Sequence, residues 1–555
     1  MIMQLSELLK SAEVEKVRVT GDAELSSLVA DSRRACAGAC FVAVRGPDVD
    51  GHAFIASAIA AGASAVICED DSAVPPHVAR AVLPQTRTVL GPLAQAFHGH
   101  PARKLTNIGV TGTKGKSTVT YLIRGILEHA GHKPALLGTI SYETGLRSIE
   151  ANNTTPGAVE LAEMSAEMVR AGKTHLVMEV SSHALHQGRT AGIGFAAGAF
   201  TNLTGEHMDY HKTMEEYLLA KRLLIDGLSP SATAIVNSDD PASDRMVGAT
   251  GARVMRFGMD GPADLSAEIR HSDVHGTQFD MLWQGKRTPV ATPLIGRHNV
   301  SNCLAAAGAC LAVGVDMQTI AAALATVANV PGRLQRVDVP APFQVFVDYA
   351  HTDDAMEKAL TAVRPLTKGQ LAVVFGCGGD RDKTKRPRMA AVAQRLADRV
   401  YITSDNPRTE DPEAIIRDIL AGLSPSEQAE VHVQADRKAA IEHAIAQAQE
   451  GDLVLLAGKG HENYQIIGKT KSHFDDAEVA AGAMLLREGF CSMAISAMCS
   501  TGVSPVASSP AGVGVLSMSE EKTDTGKMPV LRTDTAETAV IHTGKMPVPR
   551  LEECL

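Results

Sequence analysis

The stretch NIGVTGTKGKST, residues 107–118, has the residue types of a loop that wraps around phosphate groups. Gly112 and Gly115 would let backbone N–H groups approach the phosphates, while Lys116 could reach the terminal phosphate and Ser117 could hold magnesium. LTNIGV before the loop indicates a buried strand, and KSTVTYLIRGILEHAG after it indicates a helix. Val110 stands where the common form of this loop has glycine. The working hypothesis is ATP or GTP binding.

Other polar side chains that suit metal or acid–base roles follow apolar segments. Glu179 ends THLVMEV, and His207 lies in TNLTGEHMDYH. Lys221 lies in EEYLLAKRLLI, an amphipathic helix pattern that by itself indicates an exposed lysine. Each of these residues alone is more often a polar residue with no catalytic role.

Four segments in the last third of the sequence share one plan, an apolar strand that runs into a polar loop. They are FQVFVDYAHT, QLAVVFGCGGDRD, RVYITSDNPR and DLVLLAGKGHE. Ligands of open α/β sheets bind at the carboxyl ends of the strands, so these loops are predicted to converge on one substrate site.

Length and pattern predict several domains, because 555 residues exceed what one core serves. Residues 1–102 form the first predicted domain. Residues 103–330 alternate strands with helices, which is typical of a parallel sheet with helices on both faces, and residues 331–490 form another α/β domain. Residues 491–555 are rich in Ser, Gly, Pro and Thr and repeat TGKMPV; they predict a disordered tail rather than a peptide-binding one.

Composition excludes several classes of function. A net charge of -10 argues against nucleic-acid binding. The sequence has neither a secretion signal pattern nor an apolar run of membrane-spanning length, so we expect a cytoplasmic protein that does not bind membranes. The nine cysteines lack the paired spacing of a zinc site and are predicted to be reduced structural thiols.

The order of motifs from residue 1 to about 490 resembles the Mur ligase family. The motifs are GTKGKST, NNTTP, MEVSSHAL, TNLTGEHMDYH, AKRLL, VNSDDP, IGRHNVSN, PGRLQRV, VDYAHT, GCGGDRD, DNPRTEDP and AGKGHENYQ. The resemblance implies an α/β fold of three domains: an N-terminal uridine-binding domain, a central P-loop parallel-sheet ATPase domain and a C-terminal Rossmann-like domain. The family uses a shorter phosphate loop, Gly-x-x-Gly-Lys-Ser/Thr, which accounts for Val110.

Within that family the chain looks like the ligase that adds the third residue of the peptidoglycan stem peptide to UDP-N-acetylmuramoyl-L-alanyl-D-glutamate. The resemblance implies that ATP phosphorylates the side-chain carboxylate of the D-glutamyl residue and that an amino group then attacks the acyl phosphate. We expect the enzyme to act as a monomer.

The resemblance also assigns residues to the reaction and to both nucleotide sites. Catalysis would involve Lys116, Glu179, His207 and Lys221. Mg²⁺ would be held by Ser117, Glu179, His207 and Lys221, the last as a carbamate (N6-carboxylysine) formed with CO₂. ATP would contact Gly112, Thr113, Lys114, Gly115, Lys116, Ser117, Thr118, Asn299, Asn302, Arg333 and Asp348. The UDP-sugar peptide would contact Ser32, Arg33, Gly46, Asn153, Thr154, Thr155, Ser181 and Arg189.

The motif DNPR predicts which amino acid is added. In this ligase group it resembles the enzymes that add meso-diaminopimelate, whose far end carries a carboxylate that lysine lacks. Arg408 could hold that carboxylate in a bidentate pair, and Glu462 would accept the distal ammonium. As an alternative, Arg408 could pair with Glu410 or Asp411 at a helix start. The predicted site contains Arg381, Asp405, Asn406, Pro407, Arg408, Gly458 and Glu462.

Other functions remain as alternatives. A lysine-adding ligase would lack DNPR, and a folate-polyglutamate ligase would lack the DSRR…DGHAF segment of the uridine-binding domain. A nucleotide-regulated binding protein would leave Lys221, His207 and DNPR unexplained. The sequence also departs from the family pattern at His298, where an aromatic residue is usual, and at Asp353, where proline is usual.

Overall fold

Three main β-sheets organise the computed structural model, which describes residues 2–46, 49–248, 250–327 and 329–488. This arrangement confirms the predicted α/β class with its N-terminal, central and C-terminal domains. The predicted tail, residues 491–555, lies outside the described residues.

The N-terminal domain has a five-stranded sheet in the order β2-β7-β6-β5-β4, with only the β2–β7 pair antiparallel. β1 and β3 form a separate pair. The strands are β1 (Met3–Gln4), β2 (Arg18–Thr20), β3 (Glu24–Leu25), β4 (Ser27–Val29), β5 (Ala39–Val42), β6 (Ala65–Cys68) and β7 (Ala79–Val82). The helices are α1 (Leu5–Ser11), α2 (Ile55–Ala60) and α3 (Thr86–Phe97).

The central domain has an eleven-stranded sheet in the order β11-β10-β9-β12-β8-β13-β14-β15-β16-β17-β18. Its strands are β8 (Thr106–Thr111), β9 (Pro134–Leu137), β10 (Ser141–Glu143), β11 (Ser148–Glu150), β12 (His175–Glu179), β13 (Phe195–Phe200), β14 (Thr233–Asn237), β15 (Arg253–Gly258), β16 (Leu265–Asp273), β17 (Gly276–Trp283) and β18 (Lys286–Thr292). Its helices are α4 (Lys116–His129), α5 (Ala158–Arg170), α6 (Ser182–His186), α7 (Met208–His211), α8 (Met214–Asp226), α9 (Ser243–Val247), α10 (Arg297–Ala312) and α11 (Met317–Thr326).

The central sheet is parallel from β9 to β16, but both of its edges are antiparallel, which the sequence analysis did not predict. The β17–β18 hairpin has a two-residue loop, Gln284 and Gly285, with φ of +49° and +73°. Positive φ at both positions is typical of the tight turns that join antiparallel strands. The pair Gln-Gly between two alternating segments was therefore a readable signal.

The C-terminal domain has a six-stranded sheet in the order β19-β20-β24-β21-β22-β23, parallel except for the β19–β20 pair. A separate hairpin joins β25 to β26. The strands are β19 (Gln335–Arg336), β20 (Gln344–Asp348), β21 (Leu371–Phe375), β22 (Arg399–Ile402), β23 (His432–Val433), β24 (Leu453–Ala457), β25 (Tyr464–Ile467) and β26 (Thr470–His473). The helices are α12 (Asp353–Val363), α13 (Lys385–Leu396), α14 (Pro412–Leu420), α15 (Pro425–Gln428), α16 (Arg437–Gln447) and α17 (Asp476–Arg487).

The four segments that share a strand-to-loop plan form adjacent strands of this last sheet, β20, β24, β21 and β22. Their polar loops therefore lie at one edge of the sheet, as parallel pairing requires. No helix in the described part of the chain is long and apolar enough to cross a membrane.

Candidate active site

The loop between β8 and α4 is shaped by its two glycines. Gly112 has φ of +146° and Gly115 has φ of +85°, and both values are rare for residues with a side chain. A Cβ on Gly112 would lie 1.9 Å from Oγ1 of Thr201, and one on Gly115 would lie 2.5 Å from Oδ1 of Asn302. The close approach of these neighbours makes glycine necessary at both positions.

Lys116, the first residue of α4, folds back over this loop. Its Nζ donates hydrogen bonds to the carbonyl oxygens of Gly112, at 3.0 Å, and Thr113, at 2.9 Å. Burial lowers the pKa of Lys116, and nearby Glu179 opposes that effect. Lys114 forms an ion pair of 3.1 Å with Glu206.

A cleft of about 640 Å³ extends from the loop across the carboxyl end of the central sheet. Glu179, at the end of β12, is buried and accepts hydrogen bonds from N, at 2.8 Å, and Oγ1, at 3.1 Å, of Thr139. His207 precedes α7 with a left-handed backbone, φ +59°. The cleft is lined by these predicted residues: Thr113, Lys114, Gly115, Lys116, Ser117, Thr118, Thr154, Glu179, His207, Asn299, Asn302, Arg333 and Asp348.

Lys221 lies beneath the loop, on α8, and its side chain is among the largest fully buried ones. Its Nζ donates a 2.7 Å hydrogen bond to the carbonyl of Gly112 and lies 4.2 Å from the ring centroid of Tyr217. Burial, reinforced by the charge of Lys116, holds the pKa of Lys221 well below its usual range. The exposed position that the helix pattern alone indicates is therefore wrong.

The far wall of the cleft is formed by α10 and by residues that follow α11. Nδ2 of Asn302 donates to Oδ1 of Asn299 at 3.0 Å. Arg333 reaches the loop, where its guanidinium donates to Oγ of Ser117 at 3.4 Å and lies 4.8 Å from the ring centroid of Tyr349. Burial raises the pKa of Asp348, whose carboxylate accepts from N of Leu334 at 2.8 Å.

The structure shows where the two departures from the family pattern lie. His298 lines the cleft. Asp353 is the first residue of α12, where its negative charge complements the helix N-terminus, and it pairs with Arg388 at 2.9 Å. Proline suits the same helix position, so the substitution preserves the helix start.

The polar side chains of this cleft fit a magnesium ion that is bound partly by the protein and partly by phosphate. Within the described ranges, no group of three or more His, Cys, Asp or Glu side chains could hold a metal by itself. Mg²⁺ usually takes only one or two carboxylates and completes its shell with water and substrate phosphates. Glu179, His207 and the hydroxyl of Ser117 border the same cleft and can supply such a partial set.

A second cleft, of about 560 Å³, lies where the N-terminal domain meets the central one. Ser32, Arg33 and Gly46 line it on one side and Arg189 on the other. Arg33 is exposed and pairs with Asp31 at 2.7 Å. A guanidinium nitrogen of Arg189 donates to the carbonyl of Thr155 at 3.0 Å.

Hydrogen bonds join the two clefts. Oγ1 of Thr155 donates to the carbonyl of Glu179 at 2.9 Å, and N of Ser181 donates back to that hydroxyl at 3.0 Å. Thr154 accepts from Oγ1 of Thr139 at 3.1 Å, while N of Asn153 donates to the Tyr142 hydroxyl at 3.2 Å.

The loops after β22 and β24 bring the predicted amino-acid site residues together. Nδ2 of Asn406 donates to Oε2 of Glu462 at 2.7 Å. Lys459, which is fully buried, lies 3.5 Å from Oδ1 of Asp405 and 3.7 Å from Oε2 of Glu462. Gly458 has φ of +111°, and a Cβ there would lie 3.5 Å from Asp405.

Arg408 is held by the main chain rather than by an acid. Its guanidinium donates to the carbonyl of Gly379 at 2.8 Å, and its N donates to the carbonyl of Ile466 in the β25–β26 hairpin at 3.0 Å. Among the described residues, Arg408 forms no ion pair. The alternative pairing with Glu410 or Asp411 is therefore wrong, and Glu410 instead binds Arg386 at 2.9 Å.

The remaining predicted residues flank this group. Arg381 is exposed, and its guanidinium donates to the carbonyl of Asp380 at 3.1 Å. The carbonyl of Pro407 accepts from N of Glu410 at 3.1 Å. A contact between two tilted rings links the group to the nucleotide cleft, because the ring centroid of His461 lies 4.9 Å from that of Tyr349, which lines that cleft.

Four residues that the sequence analysis did not single out belong to these sites: Thr139, Glu206, Tyr349 and Lys459. Tyr349 lies within the quoted VDYAHT and Lys459 within GKGHE, so their positions after buried strands were a usable signal. Thr139 carried no such signal.

Known proteins resemble this chain over most of its length. Family models match residues 24–98 as "Mur ligase family, catalytic domain", residues 110–310 as "Mur ligase middle domain" and residues 332–460 as "Mur ligase, glutamate ligase domain". The chain is 46% identical over 488 residues to the UDP-N-acetylmuramoyl-L-alanyl-D-glutamate--2,6-diaminopimelate ligase of Geobacillus kaustophilus, covering 87% of this chain and 99% of the relative. The ligase of the same name from Gloeobacter violaceus is 44% identical over 491 residues, with the same coverage.

Solved structures give a similar result. A structure of a UDP-N-acetylmuramoyl-L-alanyl-D-glutamate--2,6-diaminopimelate ligase is 32% identical, with a TM-score of 0.62, and covers 84% of this chain and 95% of that one. MurF from Acinetobacter baumannii, at 21% identity and a TM-score of 0.57, shares the fold over 82% of this chain and 95% of its own.

Proposed function

The chain belongs to the Mur ligase family, and from that premise we propose that it joins meso-2,6-diaminopimelate to UDP-N-acetylmuramoyl-L-alanyl-D-glutamate at the expense of ATP. The bond formed is an amide between an amino group of diaminopimelate and the D-glutamyl side-chain carboxylate. The observation that carries the choice of amino acid is Arg408, which lies beside the Asp405–Glu462 group and forms no ion pair in the described part of the chain.

The first step moves the terminal phosphoryl group of ATP to the D-glutamyl carboxylate, and ADP leaves. A carboxylate that attacks a polyanion meets charge repulsion, so the site must neutralise the transferring group. Lys116 and the backbone N–H groups between Gly112 and Thr118 would do so. Lys116 would exchange its two carbonyl partners for phosphate oxygens.

Ser117, Glu179, His207 and a carbamate on Lys221 would hold Mg²⁺, which would supply further positive charge to the phosphates. Carbamate formation requires a neutral amine, which attacks CO₂ and loses a proton as the C–N bond forms. The buried position of Lys221 favours that neutral form. The change of sign also removes the repulsion between Lys221 and Lys116.

The second step is attack by the amino group of diaminopimelate on the acyl phosphate, which releases phosphate. Arg408 would bind the distal carboxylate and Glu462 the distal ammonium, so that the other amino group faces the acyl phosphate. Arg381, Asp405, Asn406, Pro407 and Gly458 would complete this site. Lysine would leave Arg408 without a counter-charge, and such a site rejects the analogue by roughly 10⁴-fold.

The second cleft would hold the UDP-sugar peptide. Ser32, Arg33 and Gly46 would contact the uridine diphosphate part, and Asn153, Thr154, Thr155, Ser181 and Arg189 the muramoyl peptide. The hydrogen bond from Thr155 to the carbonyl of Glu179 would then connect this cleft to the phosphate site. Thr113, Lys114, Asn299, Asn302, Arg333 and Asp348 would bind ATP. We propose that the enzyme acts as a monomer in the cytoplasm, where its nucleotide substrates occur.

Phosphate release from ATP tests the proposal. The assay contains UDP-N-acetylmuramoyl-L-alanyl-D-glutamate with either meso-diaminopimelate or L-lysine. We expect phosphate release in the assay with diaminopimelate and none in the assay with lysine. Release with lysine instead would reject the role given to Arg408, while release with neither would reject the ligase activity and favour a nucleotide-regulated binding protein.

A further inference from the structure

Lys459 is a fully enclosed charged group beside the proposed amino-acid site. It follows β24 and Gly458, and its side chain is fully buried. Its Nζ donates to the carbonyl of Tyr464 at 2.5 Å and to Oδ1 of Asn406 at 3.3 Å. The ammonium also lies 3.5 Å from Asp405 and 3.7 Å from Glu462. It therefore contacts three of the residues expected to bind diaminopimelate, while having no access to bulk solvent.

The charges around Lys459 do not cancel. Asp405 and Glu462 bring two negative charges and Lys459 brings one positive charge, which leaves one negative charge for a ligand. Desolvation raises the pKa of Glu462, Asp405 raises it further, and Lys459 opposes both. The other groups that face Glu462 are Asn406, Arg408, Arg437, Tyr349 and Tyr464.

We propose that Lys459 is a positioning residue of the amino-acid site, which leaves the Asp405–Glu462 pair with one net negative charge matched to one distal ammonium. The proposal rests on the proposed function and deepens it. Lys459 holds the DNPR loop to the GKGHE loop through Asn406 and Glu462, and its positive charge keeps Glu462 ionised so that Glu462 can accept the ammonium. Arg408 supplies the positive charge for the adjacent carboxylate.

Removal of the Lys459 ammonium should change the pH dependence of diaminopimelate binding. In Lys459→Met, Glu462 would keep its burial and its negative neighbour Asp405 but lose the cation that opposes both, so Glu462 would take up a proton more readily. A protonated Glu462 binds an ammonium poorly. The KM for diaminopimelate should therefore be highest at low pH and fall as the pH rises, by up to about tenfold per pH unit.

The test measures the KM for diaminopimelate between about pH 6 and pH 9 by phosphate release. For Lys459→Met we expect a KM about tenfold or more above wild type at the low end, a ratio that shrinks with rising pH, and an unchanged KM for ATP. The double variant Lys459→Met/Asp405→Asn restores one net negative charge, so its ratio to wild type should not vary with pH. A purely structural role predicts the same ratio at every pH in Lys459→Met, and that result would overturn the proposal.

Two controls separate other outcomes. If Lys459→Met does not fold, as judged by thermal unfolding, the double variant is compared with Asp405→Asn alone, in which Lys459 and Glu462 carry no net charge. A lower KM in the double variant than in Asp405→Asn supports charge balance, and an equal or higher KM overturns it. If the wild type releases no phosphate with diaminopimelate, the proposed function fails before any variant is made, and the two failures are thereby distinguished.

Discussion

At the residue scale, the surroundings of Arg408 and Lys221 determine what each side chain can do chemically. The guanidinium of Arg408 is half-buried and bonded to main-chain carbonyls, which orient it without neutralising it. The amine of Lys221 is buried against a carbonyl, an aromatic ring and a second lysine. Arg408 is thus held in place with its charge left for a ligand, and Lys221 is held in place as an amine whose neutral form burial favours.

Arg408→Ala should raise the KM for diaminopimelate by roughly 10²-fold, because charge-assisted hydrogen bonds contribute about 1.5–3 kcal/mol. The KM for ATP should stay the same, since Arg408 does not line the nucleotide cleft. Steady-state phosphate release measures both constants. Arg395→Ala, which removes an exposed partner of Glu357 in the same domain, serves as the control and should change neither.

Lys221→Ala should lower kcat by at least about 10²-fold, because it removes the group proposed to carry the carbamate. Small carboxylates such as formate or acetate should restore part of the rate by occupying the space left under Gly112. The measurement is phosphate release with and without added carboxylate. Full activity of the variant in the absence of any carboxylate would contradict the role of Lys221.

At the element scale, the turn from β8 into α4 depends on backbone conformations that only glycine adopts easily. Gly112→Ala combines positive φ with a Cβ placed 1.9 Å from Thr201, and so should abolish ATP binding. Gly131→Ala is the matched control, because Gly131 also has positive φ, +83°, but nothing lies within 4 Å of its Cβ.

The control should cost only the strain of a left-handed alanine, about 1–2 kcal/mol in the free energy of unfolding, and should bind ATP normally. Calorimetric titration with ATP and thermal unfolding of both variants check this. Equal ATP affinity in Gly112→Ala and wild type would show that the loop can relax around the added methyl group.

The elements were predictable from sequence where local pattern decides them. Apolar segments that end in polar loops identified β12, β20 and β24, because a strand buried on both faces needs an unbroken apolar run. Burial of single charged residues was not predictable in this way. Lys221 follows a helix pattern that allows exposure, and Lys459 follows a glycine, yet both are enclosed by segments more than 50 residues away in sequence, such as Gly112 and Asn406.

At the scale of the whole molecule, the proposed reaction needs groups from all three domains, and polar contacts join them. Arg34 of the N-terminal domain pairs with Glu163 of the central one at 3.2 Å. Lys471 in the β25–β26 hairpin pairs with Glu150 at 2.7 Å, and Arg333 reaches Ser117. Exposed ion pairs contribute about 0–1 kcal/mol each, so these contacts can guide the approach of the domains without locking them.

The contacts of the last helix, α17, predict how far the C-terminal domain can be shortened without loss of activity. Asp476, at the start of α17, forms a fully buried ion pair of 2.6 Å with Arg437, and Arg437 also donates to the carbonyls of Ser404 and Ala457, next to the DNPR and GKGHE loops. A chain that ends after residue 488 keeps this pair. It should retain kcat/KM within about twofold, because 87% of this chain already covers 99% of a relative.

A chain that ends after residue 475 loses Asp476 and leaves Arg437 as a buried charge without its carboxylate, at a cost of about 3–5 kcal/mol. Because Arg437 holds the strand ends that precede both loops, this shorter chain should lose diaminopimelate-dependent phosphate release together with thermal stability. Parallel assays of the two truncations decide the matter. Loss of activity in the longer one would mean that residues beyond 488 take part in the reaction.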